Sequence, residues 1–232
     1  MPHIHDSEFG DITVRKSAKA KHIRLRVAPN GTLRVSAPLY TPMMLIKRFI
    51  KQSRDEIRKL IENQEDSIPR YEANAQIGKS HQLIVEEASA QATVVEYKKP
   101  HITVYLAEDD ELDSVDVTAK IRPVVIKALR NEAKAYLPRR LAYFAEKFGF
   151  SYDKVRFSHA GSRWGSCSTS GTISLNIALM KLPFELIDYV LIHELCHTKE
   201  MNHSANFWHL VEMCNPNYKE HRKAIRDQHP HL

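Results

Sequence analysis

The chain has 232 residues, 43% of them hydrophobic and 27% charged, an ordinary globular composition that permits a real core. Its formal charge of +6 is uneven: net +6 over residues 1–70, −6 over 71–114, +5 over 115–150 and +1 beyond. The first ten residues lack the basic start and apolar run of a signal peptide, and no stretch approaches the roughly 18 apolar residues of a membrane span, so a cytoplasmic location is expected. Three cysteines, Cys167, Cys196 and Cys214, argue against a disulfide framework, and none forms the Cys-x-x-Cys of a structural zinc site. The basic N-terminal third suits nucleic acid, a nucleotide or an acidic protein, or is a solvated Lys/Arg surface.

Taken in chain order, Ile12–Arg15, His22–Val27 and Leu33–Ser36 alternate as strands with outward arginines, and Pro29-Asn30-Gly31 carries hairpin chemistry between the last two. Thr41-Pro42 predicts a helix start, with apolar residues at helical spacing from Leu45 to Ile61, giving one helix over about 42–63. Residues 66–80 read as loop, followed by strands at His81–Glu87, Ala92–Tyr97 and His101–Leu106 and an acidic loop at 108–113. A helical region over about 115–148 is expected to be interrupted near Pro123 and Pro138. Lys154–His159 reads as a strand, 162–170 as turns, Gly171–Ala178 as a strand, Pro183 to about Lys199 as a helix and Ser204–Cys214 as another, with a short basic helix after Pro216. The fold class is α+β: a β-rich region over 1–113 and a second domain over 114–232.

Eight of the 13 histidines follow residue 150. His193 and His197, four apart on a helix, share one face, and a metal ion about 2 Å from each nitrogen fits that separation. Glu194 is rotated by about 100° and can lie beside such a metal as general base for its water. From Tyr189 to Ile192 the helix is apolar on every side, which marks it as buried, and stranding two imidazoles and a carboxylate at its end is costly without a cation. The competing reading is a pair of hydrogen-bonded core histidines with a surface Glu. A catalytic zinc needs a third ligand, and His203, six beyond His197, has the spacing of the long metzincin motif, with Glu200 in place of its glycine. The turn is then expected to use Asn202 in a left-handed conformation, with Ser204 capping the next helix. Glu212 and His209 are the alternatives; His159, His221, His229 and His231 read as loop or tail residues.

Arg163-Trp-Gly-Ser-Cys-Ser, Ile173-Ser-Leu-Asn, Pro183 through Asp188-Tyr-Val-Leu-Ile-His-Glu-Leu-Cys-His and Asn202-His-Ser-x-x-Phe207-Trp208 together resemble the YgjP-like metallopeptidase family, related to the SprT-like and WLM zincin domains. The match is dense over about 155–226, and the Arg-rich strands, the helix after Pro42 and Ile77-Gly78-Lys79 also fit the family's layout. The resemblance implies a zincin-like catalytic domain with one Zn2+ held by His193, His197 and His203 and Glu194 as base. It also implies a small sheet whose edge strand pairs with an extended peptide, for which Ile173–Ala178 is the natural candidate. Arg163 then holds a substrate carboxylate or phosphate, or instead pairs with Asp188 or Glu185. Tyr218 and His221 are candidates for oxyanion stabilisation, against a Tyr merely packed on its helix. Cys167 and Cys196 read as small core residues rather than zinc neighbours.

The expected activity is therefore a zinc-dependent hydrolase acting on a peptide or protein. Its rivals are a metal-dependent phosphohydrolase acting on a nucleotide or other anion, a protease recruited to nucleic acid, and a domain with a structural zinc. The intact Glu194 speaks against the last.

Overall fold

The computed structural model describes residues 3–27, 32–65 and 70–230. The chain forms two compact units, Met1–Ile68 and Pro69–Leu232. The strands over 76–107, grouped by sequence with the N-terminal region, belong to the second unit. Among the described residues no helix is long and apolar enough to cross a membrane.

The first unit is a four-stranded sheet, β1 (His3–Asp6), β2 (Gly10–Ser17), β3 (Arg24–Val27) and β4 (Leu33–Pro38), in the order β1-β2-β4-β3, with helices α1 (Met43–Gln52) and α2 (Arg54–Glu65). Strict alternation puts Ile12, Val14, Leu33, Val35 and Ala37 into a core with Ile46, Ile50 and Ile57. The expected single helix is broken at Ser53, whose N–H still reaches Phe49 and Ile50 while its backbone leaves the helical region. Pro42, not Thr41, stands at the cap of α1, without a side-chain cap bond. The Pro29-Asn30-Gly31 turn lies outside the described residues, as do residues 66–69 of the expected loop.

The second unit is built around α3 (Val115–Phe148). A sheet of β5 (Gln76–Ile77), β6 (His81–Ala88), β7 (Val94–Lys98) and β8 (His101–Ala107), ordered β5-β6-β8-β7, packs on it. A second sheet follows in the chain: β9 (Lys154–Ser158), β10 (Gly165–Cys167) and β11 (Thr172–Asn176), ordered β10-β11-β9, then a short 3-10 helix, Ile177–Lys181. Three helices close the unit: α4 (Phe184–Cys196), α5 (Ala205–Cys214) and α6 (Tyr218–Arg226).

Contrary to expectation, α3 runs unbroken through both prolines. A helix-interior proline costs about 3 kcal/mol, but Pro123 is exposed and Pro138 half-buried, both off the stripe Val117, Ile121, Val125, Leu129, Ala133, Leu137, Leu141 and Phe144. Burial of that stripe on both sides of each proline holds the helix together. Ser114 Oγ accepts Val117 N–H at its start, and Gly149 closes it in the left-handed conformation at φ 67°.

Within the second unit, one buried network ties the β5–β6 turn to α3. Glu132 accepts the N–H groups of Lys79 (2.7 Å) and Ser80 (2.9 Å), the Ser80 hydroxyl (2.8 Å) and His81 Nδ1 (2.5 Å). Gly78, at φ 65°, leaves no room for a side chain, since a Cβ there would lie 2.2 Å from Glu132 Oε2. The loop so clamped sends Lys79 Nζ to the Leu182 carbonyl (2.5 Å) and over the Phe184 ring (4.6 Å), where α4 begins.

Candidate metal centre

Helix α4 is buried on nearly every side: Tyr189, Val190, Leu191, Ile192, Leu195 and Cys196 are all core residues. Its position is held from outside by a bidentate ion pair, Arg140 Nε and Nη2 to Asp188 at 2.8 and 2.6 Å. Arg163 therefore does not have Asp188 to itself, and among the described residues it has no ion pair.

The C-terminal end of α4 delivers His193, Glu194 and His197. After it the chain tightens: Thr198 N–H reaches Leu195, and Lys199 and Glu200 both reach Cys196. Asn202 does not adopt a left-handed conformation; Asn74 is the one non-glycine residue with positive φ among those described. The missing glycine is thus not needed, because a run of helical-end hydrogen bonds turns the chain. Ser204 Oγ then accepts Phe207 N–H at 3.3 Å and starts α5, as its residue type predicts.

This turn brings His203 back over α4. The ligand-capable atoms of His193, His197 and His203 all lie within 4.8 Å of one another, and the two facing nitrogens, His193 Nε2 and His203 Nε2, are 3.2 Å apart. His209 and Glu212 are not in this group; Glu212 faces Lys219 instead. His197 donates from Nδ1 to the Glu200 carbonyl (3.0 Å), which leaves the Nε2 lone pair bare, the tautomer a metal ligand requires. Phe207 stacks on His197 at 4.5 Å between centroids and 27° between planes. Trp208 stacks on His203, and Tyr218 on Trp208, with the Arg222 guanidinium 4.2 Å from the Trp208 centroid.

Burial holds two of these imidazoles in the neutral form that a metal ligand requires. Burial pushes the His193 pKa down to about 3, helped by the neighbouring His197 and His203, so its ring is neutral at pH 7. His197 is lowered by burial too, against the opposing pull of the Glu200 carbonyl. Burial raises Glu194 to about 8, partly countered by Arg163. Glu194 Oε2 and His193 Nδ1 are buried without any hydrogen-bond partner, a costly condition for a carboxyl and an imidazole. Three convergent imidazole nitrogens beside an unpartnered carboxyl fit a divalent metal of zinc type.

Strand β10 covers the carboxyl. A Cβ on Gly165 would meet Glu194 Oε1 at 2.6 Å and its Cδ and Cγ at 2.8 Å. No pattern within a single sequence marks this glycine as a neighbour of the Glu. The strand expected to form the edge of the sheet, Ile173–Ala178, is instead its central strand: β11 pairs with β10 on one side and with β9 on the other, and its last residues turn into the 3-10 helix. The edge beside Glu194 is β10. Buried Asn176 anchors the preceding loop, donating from Nδ2 to the carbonyls of Ala160 (2.7 Å) and Arg163 (2.9 Å).

The model of the YgjP-like, metallopeptidase domain family matches residues 21–228. The chain belongs to the YgjP-like metallopeptidase family. It is also similar to the crystal structure of the metallopeptidase zymogen of Pyrococcus abyssi abylysin, at 32% identity, covering 38% of this chain and 90% of that one, with a TM-score of 0.36. None of the curated proteins searched matches it.

In this YgjP-like chain the remaining candidates lie around the cluster. Arg163 is exposed, near enough to Glu194 to oppose the rise in its pKa. Tyr218 is 8% exposed and packed on Trp208. His221 meets Asn215 (3.2 Å) and the Tyr189 ring. Cys196 is fully buried, and no cysteine is among the metal-capable group.

Proposed function

We propose that this metallopeptidase is zinc-dependent, with one ion held by His193, His197 and His203 and with Glu194 as general base. The observation that carries the proposal is the convergence of three imidazoles within 4.8 Å beside a buried carboxyl whose Oε2 has no partner. The catalytic apparatus is assigned to residues 114–232 in a zincin-like arrangement, supported by the packing of β10 against α4. Zinc bound there would supply Lewis acidity, polarising a carbonyl and lowering the pKa of water.

The chain's own residues do the rest. The Glu200 carbonyl fixes the His197 tautomer, and Phe207 and Trp208 fix the planes of His197 and His203. With a cation held by the three histidines, the ionised form of Glu194 would be favoured over its metal-free state, and Glu194 Oε2 would then take a proton from water and return it to the leaving amine. Gly165 permits the carboxyl to sit against β10, and the unpaired edge of β10 can align an extended peptide by main-chain hydrogen bonds. Arg163, beside this edge, is assigned to a substrate carboxylate. Tyr218, the candidate for oxyanion stabilisation, packs on Trp208 and so belongs to the stack that holds His203.

The test is a screen of zinc-loaded protein against casein-type proteins, peptides and, in parallel, nucleotides, with Glu194→Gln as control. Peptide or protein cleavage abolished in Glu194→Gln, with zinc retained, is expected. Hydrolysis of nucleotides alone, or full activity in the Gln variant, overturns the reading.

A further inference from the structure

The first unit carries a charge pattern that peptide hydrolysis leaves unused. Its sheet buries one face against α1 and α2 and turns the other to solvent. On the outer face Arg15 of β2, Arg34 of β4, and Arg24 and Arg26 of β3 are all exposed. The register sets Arg26 directly opposite Arg34, with Thr13 on the far side of Arg34, and puts Ser36 between Arg15 and Arg24. With neighbouring strands about 4.8 Å apart and alternate residues about 6.6 Å apart, the four stems rise from a patch roughly 12 Å across.

Among the described residues no carboxylate forms an ion pair with these arginines. Of the acidic side chains nearby, Asp6 pairs with Arg54, Glu8 with Arg54 and Arg58, and Asp55 with Arg58, while Asp11, at the β1 side of the same face, is hydrogen-bonded to His5. None of the four sheet arginines has an ion pair among the described residues. Like charges directly opposite each other destabilise a sheet. A lattice that sets Arg26 against Arg34 therefore works against folding and suits an anion supplied from outside.

We propose that this face binds the phosphodiester backbone of a nucleic acid. The outward side chains next to the arginines on β2 and β4 are Thr13 and Ser36, so the arginine patch itself holds no large aromatic or apolar anchor of the kind that dominates protein–protein contacts. Phosphates need no such anchor: planar guanidinium forks engage them bidentately, and counterion release supplies the affinity. Without a Phe, Tyr or Trp ring among the arginines to stack on bases, the patch binds irrespective of sequence. This inference is independent of the peptidase assignment.

The experiment is fluorescence anisotropy of the full-length protein with labelled mixed-sequence single-stranded DNA, duplex DNA and single-stranded RNA, and with poly-glutamate, between 50 and 200 mM salt. Four neutralised phosphates give a duplex slope near −0.9 per arginine, so affinity should fall about 100-fold over this range. The arm that binds tightest identifies the source of the backbone. Replacing Arg15, Arg24, Arg26 and Arg34 together by Thr, a good strand residue, should flatten the slope and abolish measurable binding. Should that variant fail to fold, Arg34→Thr alone decides: it should reduce the duplex slope by about 0.9 and raise the melting temperature by relieving the Arg26 repulsion. Salt-independent binding, no binding to any nucleic acid, an unchanged slope in a folded variant, or poly-glutamate binding tighter than every nucleic acid overturns the proposal.

Discussion

Gly165→Ala is the smallest change that should disable the site without touching a ligand. The three atoms nearest to an added Cβ all belong to Glu194, and the nearest, Oε1 at 2.6 Å, falls 0.8 Å short of the 3.4 Å of ordinary contact. The strand cannot easily retreat, because Gly165, Ser166 and Cys167 are paired with Leu175, Ser174 and Ile173, and Asn176 N–H holds the Trp164 carbonyl at 2.8 Å. The helix cannot retreat either, with Leu191 and Leu195 fully buried on it. The carboxyl must therefore shift by most of that 0.8 Å. Overpacking of this kind costs about 1–3 kcal/mol of stability, and a misplacement near 1 Å costs about 100-fold in rate. Initial rates on the peptide found by the screen, with zinc measured by elemental analysis in the same samples, should show turnover down about 100-fold at unchanged zinc content. Turnover within about threefold of wild type at full zinc content would refute the placement of Glu194 against β10. Loss of zinc alongside turnover would refute the separation of base from ligands.

His197→Ala and His203→Ala should each purify without stoichiometric zinc, whereas His209→Ala should keep it; elemental analysis decides, and zinc retained in His203→Ala would remove it from the ligand set. In metal-free protein Glu194 is raised from 4.5 to about 8, so between those values the folded state holds a proton that the unfolded chain has lost. The stability it confers is complete below pH 4.5 and is lost as pH rises through 8. Metal-free Glu194→Gln should accordingly melt above metal-free wild type at pH 8.5, by a margin on the order of 3–5 kcal/mol at most, and the two should converge near pH 5. A difference independent of pH would contradict the buried, unpaired carboxyl. Glu132→Ala strands three backbone or side-chain donors and His81, and should cost about 3–5 kcal/mol in denaturant titration; a loss below about 1 kcal/mol would show that water replaces the carboxylate.

Long periodic elements were legible in the chain, since Leu83, Ile102 and Val104 alternate and the α3 stripe repeats at helical spacing. What escaped was short or set by distant packing. Strands β5 and β10 have 2 and 3 residues, too few for alternation to register. The prolines of α3 read as breaks because the burial that outweighs them is a property of the assembled core. At the candidate metal centre the spacing of His193, Glu194, His197 and His203 carried the expectation. The ring-orienting roles of Phe207 and Trp208, the closeness of Gly165 to Glu194 and the glycine-free turn depend on contacts that no local pattern encodes. The arginine lattice lay between these cases: alternation gave the outward face, but only the register set Arg26 against Arg34.

The most direct test of the central claim is the zinc X-ray absorption spectrum of the metal-loaded protein. Three imidazole nitrogens at about 2.0–2.1 Å with one light oxygen donor, and no sulfur, are predicted for a catalytic ion with an exchangeable position. Sulfur scattering at about 2.3 Å, or fewer than three imidazoles, would contradict a centre formed by His193, His197 and His203.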